Sequence, residues 1–87
     1  MDLSRHTVKA VVNLWALHQV KGRSHDAPGV VGRVVAYQGG GQTTRVQAVD
    51  PKTHRILTET GSVYQLGTPI LGFAVRHSEL LRELGLA

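Results

Sequence analysis

The segment Gln42–Gly67, QTTRVQAVDPKTHRILTETGSVYQLG, decides the fold class of this 87-residue chain. Its short runs are rich in valine, isoleucine, threonine and tyrosine, which favour strands, and two turn signals separate them. In the first turn, Pro51 fixes the φ angle that the second residue of a type I turn requires, and Asp50 can accept hydrogen bonds from the turn backbone. In the second, Gly61 supplies the positive φ of a two-residue hairpin loop. The segment therefore predicts a meander of three antiparallel strands.

The positions of the turns also predict which side chains share a face of the meander. We expect Asp50 to pair with Thr53, and Glu59 to pair with Ser62. One face then belongs to the core and carries Thr44, Val46, Ala48, Leu57, Tyr64 and Leu66. The other face is mixed and carries Arg45, Gln47, Val49, His54, Ile56, Thr58 and Val63. A slip of one residue in a hairpin would exchange the two faces.

Three large aliphatic side chains on the mixed face, Val49, Ile56 and Val63, are more than a solvated sheet face usually carries. A large contiguous apolar patch seldom stays exposed on a soluble monomer. We therefore expect a cover for this face, which can be a helix of the same chain, a second subunit or a partner. The assembly that we predict is a homodimer.

The N-terminal half outside the meander is less decisive. Residues 5–21 fit either a helix or a strand, because four valines, Thr7 and Trp15 favour a strand whereas Ala10, Leu14, Ala16 and Leu17 favour a helix. We favour a strand from about Val11 to Val20. Residues 22–29 predict a loop. Val30–Tyr37 predicts a strand in which Gly32 marks a bulge or a close backbone approach, and the glycines of residues 39–41 predict a flexible turn.

The C-terminal part predicts an extended connector over Thr68–Phe73 and a helix over Arg76–Leu84. Ser78 is the expected N-cap, and Gly85 is the expected end of the helix. The whole chain, residues 1–87, is thus predicted to be one domain, mainly β, with a C-terminal helix at about residues 76–85. The expected architecture is a small five-stranded SH3-like barrel or a bent antiparallel sheet.

Composition limits the classes of function. The net charge is +4, and residues 1–58 carry eight lysines and arginines against three acids. A basic surface attracts phosphate backbones and acidic protein surfaces, although scattered bases can also serve solubility alone. The chain has no cysteine, which excludes disulfides and thiolate metal sites. It has neither an apolar run that spans a membrane nor a signal-peptide pattern, so we expect a cytoplasmic protein without a membrane partner.

Catalytic and metal-binding patterns are missing from the sequence. The five histidines, His6, His18, His25, His54 and His77, form no helical i, i+4 pair, so no metal site is predicted. The glycines of residues 39–41 lack the following helix and the Lys-Ser/Thr pair of a phosphate loop. No paired carboxylates or activated nucleophile is visible either. We therefore expect a protein that is not an enzyme and uses no cofactor.

One set of residues suggests a binding surface. Small barrels bind nucleic acid by combining a basic groove with aromatic side chains on which bases stack. Tyr37 and Trp15 are candidates for the stacking role, although Trp15, Tyr64 and Phe73 also suit the core. The predicted nucleic-acid-binding residues are Arg33, Tyr37, Arg45, Lys52, His54 and Arg55.

The segment Thr58–Gly67, TETGSVYQLG, resembles a signature of small uncharacterised β-meander proteins of bacterial mobile elements. In those proteins a Thr-x-Ser-Gly-Ser-x-Tyr-x-Leu-Gly segment closes a meander that begins near a tryptophan. The resemblance covers ten residues and Trp15, and Thr60 stands where the signature has serine. It implies a β fold, and either contact with DNA or RNA or the blocking of a host protein.

These observations support two hypotheses of function. The first is a small basic binding module whose partner is nucleic acid. The second is an inhibitor or adaptor that binds an acidic protein surface. An enzyme or small-ligand binder built in an oligomer has less support. The first two differ in whether Arg33, Arg45, Lys52 and Arg55 form one contiguous stripe in the folded protein.

Overall fold

The predicted meander is the centre of the larger of two sheets. The computed structural model describes residues 1–20 and 29–87, so almost all of the predicted 22–29 loop lies outside the described residues. The elements in the described part are β1 (Val8–Val12), β2 (Ala16–His18), β3 (Val34–Tyr37), β4 (Gly41–Gln42), β5 (Val46–Asp50), β6 (Arg55–Thr58), β7 (Val63–Leu66), α1 (Leu71–Arg76) and α2 (Ser78–Glu83). The prediction of a mainly β protein with a C-terminal helix is confirmed.

The two sheets have the orders β1-β7-β6-β5 and β2-β3-β4. All pairs are antiparallel except β1 with β7, which is parallel. Among the described residues neither sheet closes into a barrel, which agrees with the bent-sheet alternative. These residues form seven short strands rather than the predicted five. The strand predicted from about Val11 to Val20 is replaced by β1 and β2, and Gly41–Gln42, in the predicted flexible turn, forms β4. The strand predicted over Val30–Tyr37 begins only at Val34, after a turn in which Gly32 has φ +94°.

The first hairpin has a longer loop than predicted. Asp50 pairs with Arg55 rather than with Thr53. The intervening turn is stabilised by Asp50, whose Oδ1 accepts a hydrogen bond of 3.0 Å from the Lys52 backbone N–H. His54 ends the turn with φ +57°, in the left-handed region.

The second hairpin confirms the positive φ of Gly61 but not the predicted pairing. Gly61 has φ +85°, and its N–H donates to the Thr58 carbonyl at 2.9 Å. The loop therefore contains three residues, a type I turn followed by a left-handed glycine. Because of the extra residue, Ile56 pairs with Tyr64, and Leu57 pairs with Val63. The predicted faces of β6 are thus exchanged: Ile56 is fully buried in the core, and Leu57 is half-buried on the other face.

The core lies between the two sheets and under α2. Trp15 is fully buried within it; its Nε1 donates to the Gly67 carbonyl at 3.0 Å, and its ring centroid lies 5.8 Å from that of Phe73. The buried cluster consists of Val12, Trp15, Leu17, Val30, Val35, Val46, Ile56, Tyr64, Leu66, Leu80, Leu81 and Leu84.

The three aliphatic residues that suggested a dimer are covered by the chain itself. Ile56 and Val63 are buried, and Val49 packs against the core. The argument for a dimer through these side chains therefore no longer holds, and a homodimer stays a prediction. Leu3 is also fully buried, although it lies outside the core cluster. Its backbone is bound by Asp50 and Arg55, which hold the N-terminal segment against the turn between β5 and β6.

The C-terminal region contains two short helices in place of one. The predicted connector is wrong from Leu71 onward, where α1 begins, and Ser78 is the first residue of α2 rather than its N-cap, which is His77. Gly85 ends α2 as predicted, with φ +77°. The Leu86 N–H donates to the Leu81 carbonyl at 2.8 Å, and the Gly85 N–H donates to the Arg82 carbonyl at 3.0 Å. These two bonds form a Schellman motif.

Candidate functional site

The predicted basic residues do not form one stripe. Arg33 and Arg45 lie on neighbouring segments at the start of β5, where the Val46 N–H donates to the Arg33 carbonyl at 2.8 Å. Arg55 lies opposite Asp50, at the far end of the same strand. At about 3.3 Å per residue, the two ends are roughly 15 Å apart.

Two members of the predicted set stabilise the fold. The Arg55 Nε donates to the Gln65 Oε1 at 2.9 Å, and its Nη1 donates to the carbonyls of Leu3 and Ser4 at 3.0 and 3.1 Å. The His54 Nε2 lies 3.1 Å from the Gly85 carbonyl oxygen. Their polar groups are therefore largely occupied by the protein.

The other members line separate grooves. Lys52 is exposed and lines a cleft of about 600 Å³ together with Asp2, Asp50 and neighbouring residues. Tyr37 is half-buried, packs against the core and lines an apolar groove. Trp15 is fully buried, so it cannot stack on a base. Of the two aromatic residues predicted as stacking platforms, only Tyr37 reaches the surface.

We call the groove beside Tyr37 the apolar groove. It lies on the face of the small sheet that points away from the core and has a volume of about 460 Å³. Ala16, Ala36 and His18 share this face, because Leu17 and Val35 beside them point into the core. Hydrogen bonds from Leu14 N–H to the Thr68 carbonyl, at 2.7 Å, and from Ile70 N–H to the Trp15 carbonyl, at 2.9 Å, bring its walls together. The lining residues are Leu14, Ala16, His18, Ala36, Tyr37, Gln38, Ile70 and Leu71.

The walls of the apolar groove carry large exposed aliphatic side chains. The exposed fractions are 46% for Leu14, 44% for Ile70 and 77% for Leu71, and Val75 outside the groove is 74% exposed. Val75 lies one helical turn after Leu71, so the two side chains share a face of α1. Exposed apolar clusters of this kind mark interaction sites more often than single exposed residues do.

Leu14 also has an unusual backbone conformation. Its φ is +48°, in the left-handed region, where a residue with a Cβ is strained. Both neighbours of Leu14 are fixed by hydrogen bonds. The Asn13 carbonyl accepts a bond of 3.1 Å from the Gln38 N–H, and the Trp15 carbonyl accepts one of 2.9 Å from the Ile70 N–H. Strained residues held in this way cluster at functional sites.

These groove residues are not predicted from the sequence. The predicted strand includes Leu14, and the predicted extended connector includes Ile70 and Leu71. The spacing of Leu71 and Val75, four residues apart, is the sequence feature that indicates a helix here, together with the neighbouring Ile70. A segment this short does not show enough hydrophobic periodicity to distinguish a helix from an extended segment.

Arg45 lines two grooves, of about 360 and 440 Å³. Its Nη1 lies 3.4 Å from the Glu59 Oε2, and its buried Nε has no hydrogen-bond partner among the described residues. Thr44 lines the larger of these grooves together with Arg45, and its hydroxyl oxygen lies 3.4 Å from that of Thr60. The larger groove is lined by His18, Gln19, Val20, Val34, Gln42, Thr43, Thr44, Arg45 and Glu59.

Two carboxylates have shifted pKa values, and both shifts have structural causes. The Leu3 backbone N–H, which donates to Asp50 at 2.7 Å, is the main cause of the lowered pKa of Asp50, against the raising effect of burial. The Ser4 hydroxyl and backbone N–H lower the pKa of Asp2. Neither shift raises a pKa toward neutrality, as a catalytic general base would need.

Within residues 1–20 and 29–87, no three histidine or acidic side chains converge as metal ligands would. No helix in the same part of the chain is long and apolar enough to cross a membrane. No protein family, curated protein or solved structure matches the chain.

Proposed function

We propose that this protein is a non-enzymatic binding module of the inhibitor or adaptor type, which binds a protein partner through the apolar groove. The observation that carries the proposal is the cluster of exposed aliphatic side chains around the groove, with Leu14 held at φ +48° at its edge. Apolar anchors surrounded by polar residues are the usual composition of a protein interface. His18 and Gln38 supply polar groups beside the anchors.

The partner is an acidic protein. The net charge of +4 attracts an acidic surface and accelerates encounter with it, whereas it repels a second copy of the same chain. This choice differs from our first hypothesis, because the basic stripe that would favour nucleic acid is divided between the two ends of β5. The resemblance of Thr58–Gly67 to mobile-element proteins also supports it, since one role implied there is the blocking of a host protein.

The test compares capture of partners by the wild-type protein and by groove variants. Leu71→Ser removes the most exposed anchor, and Val11→Ser is the matched control, because Val11 is 60% exposed on β1, in the other sheet. We expect an acidic protein to be captured by the wild type and the control but not by Leu71→Ser. Binding of the purified partner should then weaken at least tenfold in Leu71→Ser, and it should weaken with added salt.

A second groove variant separates binding from stability. Leu14→Gly removes an anchor and also relieves the positive φ, so the gain from relieved strain offsets the entropic cost of glycine, and stability should change by less than about 1 kcal/mol. Binding should nevertheless fall. Equal capture by the wild type, Leu71→Ser and Leu14→Gly would overturn the proposal. A dimer in light scattering that Leu71→Ser dissociates would assign the groove to a second copy instead.

Nucleic acid is the second candidate partner. The observation that favours it is the pair of grooves lined by Arg45 in a chain of net charge +4. Each neutralised phosphate changes the slope of log K against log salt by roughly 0.7 to 0.9, so Arg45→Gln should flatten that slope by about one unit. Absence of binding to single- and double-stranded oligomers at low salt would exclude this candidate.

A further inference from the structure

We infer that Arg45 is the centre of a binding site for a phosphate group, with the hydroxyls of Thr44 and Thr60 as additional donors. The inference extends the second candidate function, nucleic-acid binding. It rests on that proposed function only for the source of the phosphate group. The site is separate from the apolar groove, although His18 lines both grooves.

The first observation is the incomplete pairing of the Arg45 guanidinium. A guanidinium has five N–H donors in a fixed plane, and a buried donor without a partner is costly. The Arg45 Nε is buried and has no partner among the described residues. The side chain as a whole is 29% exposed and lines two grooves, so a ligand can reach Arg45 although its Nε is buried.

The second observation is that the neighbouring carboxylate holds Arg45 weakly. The contact with Glu59 is a single pair of atoms at 3.4 Å, and the Glu59 side chain is 50% exposed. An exposed ion pair of this kind contributes little and is easily exchanged. A phosphate can instead accept two parallel N–H bonds from the guanidinium, which is a stronger arrangement.

The third observation concerns the surroundings of the guanidinium. The peptide unit that follows Arg45 is fixed at both of its polar atoms: the Arg45 carbonyl accepts a bond of 3.0 Å from the Glu59 N–H, and the Val46 N–H donates to the Arg33 carbonyl at 2.8 Å. The Thr44 hydroxyl lies 3.4 Å from that of Thr60, so two short polar side chains stand together on this fixed frame.

These surroundings favour phosphate over carboxylate. A phosphate group presents more acceptor oxygens than a carboxylate does, which suits a guanidinium combined with hydroxyl groups. The carboxylate that is already present leaves the Arg45 Nε unpaired. Hydroxyl and guanidinium donors are also the groups that commonly contact the phosphates of nucleic acids.

The test observes the arginine Nε–H signals by NMR during a titration with inorganic phosphate, with sodium chloride at equal ionic strength as the control. We expect the Arg45 signal and the backbone amides of Thr44 and Thr60 to shift and to saturate with phosphate only. Glu59→Gln removes the competing carboxylate and should tighten phosphate binding by roughly two- to fivefold. Arg45→Lys should weaken it by about tenfold, because lysine cannot form the two parallel bonds.

Arg82→Lys on α2 is the matched control and should leave the titration unchanged. NMR shifts that do not saturate with phosphate, or that sodium chloride reproduces, would overturn the proposal. Weaker phosphate binding by Glu59→Gln would also overturn it. Saturation with acetate as tightly as with phosphate would also overturn it. A single-stranded oligomer that shifts the same signals identifies nucleic acid as the source, whereas saturation by inorganic phosphate alone keeps the site and excludes the second candidate. Neither result affects protein binding at Leu71.

Discussion

Replacing Ile56 by alanine should destabilise the protein more than replacing its neighbour Leu57. The two side chains are isomers, but they lie on opposite faces of β6, and Ile56 is fully buried whereas Leu57 is half-buried. Truncation of a fully buried isoleucine to alanine costs about 2 to 5 kcal/mol, because transfer free energy is lost and a cavity remains. Part of the Leu57 side chain stays in contact with water, so less transfer free energy is lost there, and we expect about 1 to 2 kcal/mol.

The difference can be measured by urea unfolding followed by the fluorescence of Trp15. Trp15 is the only tryptophan and is fully buried, so its emission reports unfolding of the core. For a domain of this size, 1 kcal/mol corresponds to about 4 to 8 °C in Tm, so the two variants should also differ in thermal unfolding. Ile56→Val, which should cost about 0.5 to 1.5 kcal/mol, covers the case in which Ile56→Ala does not fold. A larger loss for Leu57→Ala than for Ile56→Ala would refute the pairing of Ile56 with Tyr64.

Two further outcomes concern the turns. Asp50 has a lowered pKa in the folded protein because the Leu3 N–H binds its carboxylate, so its contribution to stability is complete above about pH 4 and is lost as the pH falls through the folded pKa. Urea unfolding of Asp50→Asn between pH 2 and pH 7 should therefore show a flatter decline toward acid than the wild type; an identical decline would contradict this role. Gly61→Ala should cost roughly 1 to 3 kcal/mol in chemical unfolding through its positive φ alone. Gly85→Ala should lower the free energy of unfolding more than Gly61→Ala does, because its Cβ would also collide with the Pro51 carbonyl oxygen. Equal losses of stability in the two variants would show that the structure relieves this collision.

The fold class was predictable because it depends on turn residues and on strand composition. Asp50 and Gly61 have the turn roles that their types predict, and Gly85 ends α2 as expected. The pairing was not predictable, because the same glycine fits a loop of two residues or of three. The extra residue moves Ile56 from one face to the other, and no local signal reports it.

The candidate site was less predictable, for a different reason. The sequence shows which charged residues are present. It does not show which of them form hydrogen bonds that stabilise the fold. Arginine commonly contacts phosphate groups, yet three hydrogen bonds of Arg55 go to Gln65, Leu3 and Ser4 within the protein. These partners are up to 52 residues away along the chain, so no motif around Arg55 contains them.

The best candidates for functional residues are those whose polar or apolar groups do not stabilise the fold. Arg55 is fixed by the protein, whereas Arg45 has an unpaired Nε and one weak contact. Leu14 is held in a strained conformation although its side chain is 46% exposed, so its position does not serve the core. A protein of this size has a free energy of unfolding of only about 5 to 15 kcal/mol. Retaining a strained leucine and an unpaired Nε lowers this value, and binding of the proposed partners at those positions would offset the cost. For that reason the binding variants at Leu14, Leu71 and Arg45 test function, while the variants at Ile56, Asp50 and the glycines test the fold.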